Sequence, residues 1–318
     1  ARPSSLQLSI IIVSWNVRDL LGDCLRSIAA GRGDLDLEVI VVDSGSSDGT
    51  PQMVDEQFGQ EAFPVRLIAR PDNVGFPKGN NIGMQQARGQ YILLLNPDTE
   101  VIGDALQVMV SYLEENGDVG VVGPQLRYPD GSVQSSRRRF PTLATAFWES
   151  TWLEPWAPRQ LLERYYVLDR ADDAPGDVDW VVGACLMTRR AVVEQVGLLD
   201  EDYFMYSEEL DWCRRIKAAG WRVVYLPAAK VIHHEGKSSE QAVTARHINF
   251  QRAKLRYFRK YHGRLVCFLL RAFLLLNYLW QLVLEGIKGL LGHKRALRRQ
   301  RVAAYWQVLK SGLRPAGY

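Results

Sequence analysis

Cysteine is scarce in these 318 residues, and the four that occur are scattered. Cys24, Cys185, Cys213 and Cys267 form no C-x-x-C pair, so neither a structural zinc site nor a redox couple is expected. Cys24, Cys185 and Cys213 stand in apolar surroundings and read as buried thiols, which fits a reducing compartment. No G-x-G-x-x-G follows the first apolar run. Ser14-Trp15-Asn16 stands there instead, which argues against dinucleotide binding. A glycine- and base-rich loop at the same place, as nucleotidyl transfer would want, is missing too. No basic-then-apolar leader precedes that run. Internal repeats and low-complexity tracts are absent. Acids are nearly absent from the last quarter: from Arg246 onward there are 16 Lys and Arg but one acid, Glu285. The tail therefore carries about +15 and the remainder about −12, which points to an anionic partner for the tail.

What is present is a run of alternating elements. Hydrophobic residues make up 47% and charged residues 24%, ordinary for a folded core. Ser9–Ser14, Glu38–Asp43, Val65–Ala69, Tyr91–Leu95 and Val119–Gly123 are short continuous apolar runs, the pattern of strands buried on both faces. Helices are predicted between them: Val17–Ala30 with Asn16 as its cap, one led by Pro51, one entered through Asn73–Gly83, and Gly103–Asn116. This alternation predicts a mostly parallel α/β sheet with helices on both faces. Residues 125–178, rich in aromatics such as Trp148, Trp152 and Trp156, read as a variable insertion or lid. Asp177–Thr188 returns to a strand pattern. A helix over Tyr206–Gly220 and a strand over Arg222–Pro227 follow, then Val231-Ile232-His233-His234.

Acids stand where these strands end. Ligands of open α/β sheets collect at the carboxyl ends of strands. Asp43 is placed to accept hydrogen bonds from a nucleobase or ribose, or to bond its own turn. Asn96-Pro97-Asp98 is placed to hold a hard divalent cation with a diphosphate, or Asp98 caps the following helix. Lys78, among glycines at a helix start, suits a phosphate. Glu208, Glu209 and Asp211 open a helix whose dipole favours acids there, and a carboxylate in a closed pocket can also act as a base. His233 and His234 follow a strand as candidate metal ligands.

The order VSWN, VVDSGSSDGT, NVGFPKGNNIG, LLLNPD, DWVVGACLMTRR, GLLDEDYFMYSEELDWCRRIKAAGW and VIHHEGKS resembles the family-2 glycosyltransferases of the GT-A fold. It is most similar to the bacterial rhamnosyltransferase-like branch. The resemblance covers about residues 8–240, a GT-A domain of 1–240, and leaves 241–318 as a basic, partly apolar helical extension. It implies inverting transfer from a nucleoside-diphosphate sugar with Mg²⁺ or Mn²⁺. Ser14, Asn16 and Asp43 match positions near the donor nucleotide, and Lys78 a position near donor phosphate. Asp98 matches the last acid of the metal motif, with Asn96 in place of the first. Glu209 matches the base, where many relatives carry Asp. Its neighbours Glu208 and Asp211 share that catalytic cluster. His233 matches a histidine that joins the metal shell in some members, and His234 is the second choice. Gly183 and Ala184 match small residues on the acceptor side. Trp180 is a candidate to stack on a sugar or a core tryptophan. dTDP-rhamnose and UDP-sugars are the donors to weigh. The alternatives are a catalytically degenerate relative and a membrane-bound scaffold.

Leu265–Leu284 is apolar but interrupted by Arg271, Asn277 and Gln281. A span, a helix packed on protein or on a second copy of the chain, and a helix lying in the leaflet all fit; flanking bases favour the last. That predicts a peripheral or monotopic protein at the cytoplasmic face of the inner membrane. An anionic membrane surface and a polyprenyl-linked or saccharide acceptor are its expected partners, and nucleic acid is not.

Overall fold

The computed structural model describes residues 6–59, 63–149, 151–235, 243–292 and 294–314. The boundary expected at 240/241 and the end of the VIHHEGKS motif, from residue 236 on, lie outside them. The chain divides into two compact units: Ala1–Phe140 with Tyr166–Glu201 and Glu208–Ser238, and Pro141–Tyr165 with Asp202–Ser207 and Ser239–Tyr318.

In the first unit, strands β1 (Leu8–Ser14), β2 (Leu37–Ser44), β3 (Val65–Arg70) and β4 (Tyr91–Leu95) pair in parallel in the order β3-β2-β1-β4. Every residue of β1, β2 and β4 is buried, which is why each reads as a mostly apolar run; the buried polar pair Ser9 and Glu38 is joined by a hydrogen bond from Ser9 Oγ to Glu38 Oε1 at 2.7 Å. Helices α1 (Arg18–Gly31), α2 (Thr50–Phe58) and α3 (Phe76–Gln86) connect them. Pro51 falls in the first turn of α2, where its missing N–H costs nothing. At Gly79 and Gly83 a Cβ would come within 2.8 Å of Val13 and 2.4 Å of Ile11, so α3 seats against β1 only because both positions are glycine.

Beyond β4 the sheet is mixed. Short β5 (Thr99–Ile102) follows, where no strand was expected, then α4 (Ala105–Glu115), β6 (Val119–Arg127), β7 (Val133–Gln134) and β8 (Arg137–Arg138). The expected Asp177–Thr188 strand is three: β9 (Gly176–Asp177), β10 (Trp180–Val181) and β11 (Cys185–Arg189). Strand β11 lies antiparallel between β4 and β6, with Cys185 opposite Leu95. After α7 (Arg190–Val196) and α8 (Glu208–Ala218), β12 (Arg222–His233) pairs parallel to β6 and antiparallel to β5. Helix α8 starts at Glu208 because Tyr206 and Ser207 take left-handed φ of 74° and 64°.

The second unit is helical: α5 (Leu143–Trp148), α6 (Arg159–Tyr165), α9 (Val243–Leu290) and α10 (Arg295–Ser311). Helix α9 is interrupted at Gly263, whose φ of 89° no other residue adopts cheaply. Leu255, Cys267, Leu274, Tyr278, Val308 and Leu313 form its core. The aromatics of the 141–165 stretch pack on α9: Phe147 stacks on Phe273 with ring centroids 4.6 Å apart, and Trp152 lies 6.2 Å from Trp280. Two polar breaks in the apolar run turn inward. Arg271 Nε donates to Gly312 O, and buried Asn277 accepts from Trp152 N.

Candidate active site

Strands β2, β1 and β4 end side by side, and the amino end of β11 lies next to β4. Asp43, Ser14, Asn96 and Ala184 thus form a row along one sheet edge. Ser14 is in register with Asp43. Both are buried, and Ser14 Oγ and Asp43 Oδ1 lack any hydrogen-bond partner, as does Ser44 Oγ. An unmet buried acceptor costs about 1–3 kcal/mol, so three together suit a polar ligand. The other Asp43 oxygen accepts from Ser46 N at 3.0 Å. Asn16 does not cap α1. Its φ is 52° and its Oδ1 accepts from Ser47 N at 2.8 Å, which ties it to the loop after β2. Lys78 is exposed in the first turn of α3.

Asn96 and Asp98 sit in the tight link between β4 and β5. Strand β5 intervenes before α4, so Asp98 caps no helix. Pairing of β5 with β12 sets His233 opposite Thr99, and His233 Nε2 comes to 3.5 Å from both Asp98 Oδ1 and Asn96 Nδ2. Gln134 Oε1, 2.8 Å from His233 Nδ1, takes that N–H and leaves the Nε2 lone pair turned to Asp98. Asn96 Oδ1 is buried and unpartnered. His234 is directed elsewhere: its ring meets Glu100 at 2.7 Å, and only its backbone N reaches Asp98 O. No cluster of three or more His, Cys, Asp or Glu suited to a metal occurs among the described residues. One carboxylate and one imidazole fit a divalent cation whose remaining positions are filled by ligand oxygens, as hard cations with diphosphates allow.

Glu208 and Glu209 open α8, and each keeps one buried oxygen, Oε2, without a partner. Burial raises the pKa of Glu208 well above the ordinary carboxylate value, and the charge of Glu209 raises it further. Burial also raises Glu209, only partly offset by the backbone N–H groups of Glu209, Gly183 and Leu210. Gly183 N donates to Glu209 Oε1 at 3.4 Å. A Cβ at Gly183 would sit 3.4 Å from the Glu209 side chain, an ordinary van der Waals contact, so the two residues lie side by side. Asp211 is wholly buried and bound to Arg215, which in turn holds Val196 O and Leu198 O. Trp180 is buried, its indole N–H given to Arg139 O. Burial pushes the Cys24 and Cys213 thiols up to about 12, so neither is a nucleophile.

Two neighbouring residues join these pieces. Asn96 N donates to Ala184 O at 2.9 Å, while Gly183 N meets Glu209. Two contributors were not singled out from sequence, Ser44 and Gln134, and neither was Asn81, which clamps Leu199 and Glu201. The asparagine pair Asn80-Asn81 inside a helix was the signal for the last, since asparagine is a poor helix former.

A glycosyl transferase family 2 model matches residues 9–197. An N-acetylglucosaminyl-diphospho-decaprenol L-rhamnosyltransferase of Mycobacterium tuberculosis is 30% identical over 243 residues, covering 73% of this chain and 77% of that protein. A low-salt glycan biosynthesis hexosyltransferase of Haloferax volcanii is 24% identical, covering 72% of this chain and 67% of that one. Among solved structures, a mannosyltransferase from Pyrobaculum calidifontis in complex with GDP-Man and Mn²⁺ superposes with TM-score 0.58 at 19% identity, over 96% of this chain and 84% of that one. At such identity it speaks for the fold. The family match spans more than half of the chain and the mycobacterial relative most of it: the chain belongs to glycosyl transferase family 2, and it is a glycosyltransferase.

Proposed function

We propose that the enzyme moves a sugar, rhamnose by its likeness to the mycobacterial relative, from a nucleoside diphosphate to a saccharide carried on a polyprenyl diphosphate. The donor would be a dTDP-sugar before a UDP-sugar, the anomeric carbon would invert, and the product would serve cell-surface polysaccharide synthesis. The observation that carries this reading is the contact between residues 183–184 and both poles of the site, Asn96 on one side and Glu209 on the other.

Asp43 Oδ1, Ser14 and the Asn16-braced loop take the nucleoside. Asp98 and His233 Nε2 would hold the cation, Mg²⁺ or Mn²⁺, which neutralises charge on the leaving diphosphate when bound. Lys78 supports the same phosphates. On the acceptor side, Gly183 and Ala184 leave room for a sugar hydroxyl at Glu209. Glu209 Oε2 takes the hydroxyl proton as that oxygen bonds to the anomeric carbon. The bond to the diphosphate breaks on the opposite face, and its electron pair leaves with the nucleoside diphosphate. Burial and the charge of Glu209 both push Glu208 up, which favours a protonated Glu208 beside an ionised Glu209.

The enzyme would work as a peripheral or monotopic protein at the cytoplasmic face of the inner membrane. Among the described residues one helix, Thr244–Leu290, is long and apolar enough to cross a membrane, with mean hydropathy 1.7 over its best window. Its inward-turned Arg271 and Asn277, and the bases around it, favour lying in the leaflet. Glu209→Gln tests the chemistry: nucleotide affinity should hold while turnover falls roughly 10²–10⁴-fold, the scale of general-base catalysis. Near-normal turnover would remove Glu209 from this role.

A further inference from the structure

The C-terminal unit holds a cavity of about 190 Å³, lined by Asp202, Tyr203, Asn249, Arg252, Arg256 and Arg314. Three guanidinium groups share it with a single carboxylate, so positive charge is in surplus. Arg256 is engaged: it pairs with Asp202 at 2.6 Å and its guanidinium lies 5.2 Å from the Tyr203 ring centre. Arg252 Nε is buried and has no hydrogen-bond partner. A half-buried guanidinium edge left unsatisfied in a cationic cavity matches a phosphate oxygen pair, which arginine binds in bidentate fashion. Pockets for drug-sized ligands run to roughly 300–1,000 Å³. This one is smaller, and suits a phosphate or diphosphate rather than a whole nucleotide sugar.

The same helix supplies the second half of the argument. Arg252 and Arg256 lie on α9 before Gly263. After it, Leu265, Phe268, Leu269, Leu276, Leu279 and Trp280 are exposed at helical spacing. At 1.5 Å per residue, Arg252 lies roughly 16 Å of helix before the break at Gly263, and Leu265 comes just after it. A ligand matched to both features is a phosphate joined to a long apolar chain. The other wall, Asp202–Tyr203, is followed in sequence by Glu208-Glu209. We propose that this cavity binds the phosphate end of a lipid, and that the lipid is the diphosphate-linked acceptor. The second clause rests on the function proposed above. An anionic phospholipid headgroup offers the same chemistry, and the test separates the two.

Full-length protein, Arg252→Gln and Arg314→Gln would each be titrated with farnesyl diphosphate, with farnesol, and with phosphatidylglycerol vesicles. Stabilisation by dTDP is followed alongside as a sign of an intact fold. Arg252→Gln should weaken farnesyl diphosphate roughly ten- to hundredfold, the scale of lost charge-assisted bonds, and exposed Arg314→Gln should weaken it less. Vesicle and farnesol binding should stay at the parent level. Loss of vesicle binding alone would assign the cavity to a phospholipid headgroup and overturn the acceptor clause. Parent-level binding of both phosphate probes by both variants, or a parent that binds farnesyl diphosphate no better than farnesol, would overturn the site. These readouts need no turnover, so they stand or fall apart from Glu209→Gln.

Discussion

Strand β1 buries all seven of its residues, whereas the far half of α9 leaves Leu276 64% and Leu290 84% exposed. In the first unit apolar side chains are spent on the sheet core, and unmet polar atoms gather at the strand ends. In the second, a small core holds α9 to α10 while an apolar stripe faces outward. Isolated exposed leucines are ordinary, but a contiguous stripe marks a surface meant for a non-aqueous partner. Each unit departs from the rule of apolar inside and polar outside, the first at its strand ends and the second along the stripe of α9. Under the function proposed above, the first departure receives the nucleotide sugar and the second a membrane or lipid.

The contrast can be broken on α9 itself. Leu274 is fully buried, so Leu274→Ala should cost about 2–5 kcal/mol in chemical denaturation, while Leu276→Ala should stay within about 0.5 kcal/mol. Equal losses would mean that the exposed stripe is covered in solution, by a second copy of the chain for instance. Next in size, Leu276→Glu with Leu290→Glu should lower affinity for anionic vesicles by on the order of tenfold per leucine, with melting temperature nearly unchanged. Vesicle binding that survives both changes would take the stripe out of membrane association.

The smallest effect belongs to the first unit. Burial and the Glu209 charge raise the folded-state pKa of Glu208 above its unfolded value. Between those two values the folded state holds more protons, so stability falls as pH rises through that window. Glu208→Gln should therefore stabilise the protein at neutral pH by on the order of 1 kcal/mol, and the gain should vanish in acid below the unfolded carboxylate pKa. A destabilised variant at neutral pH would show that Glu208 is ionised and needed as such. Turnover of this variant should exceed that of Glu209→Gln.

Much of the sheet edge proposed to take the nucleotide was legible from local pattern. Apolar runs located β1, β2 and β4, and Asp43 and Asp98 stood out as acids just past strand ends. The partners that complete the site were not legible in that way. Gln134 comes to His233 through the short β7 beside β6, and nothing local marks it. His233 and His234 are adjacent and chemically alike, yet the extended backbone at the end of β12 sends one to Asp98 and the other, just past the strand, to Glu100. Asn16 looked like a helix cap and instead braces the loop after β2, because its left-handed backbone turns it there.

Local chemistry by itself determined which segments become strands, where a basic tail begins, and which acids lie at strand ends, since periodicity and composition act over a few residues. Tertiary structure alone decided that β11 runs antiparallel between β4 and β6, that β5 joins β12, and that Gly183 meets Glu209. Those outcomes depend on register between strands far apart in the chain, and a shift of one residue would turn each side chain to the opposite face.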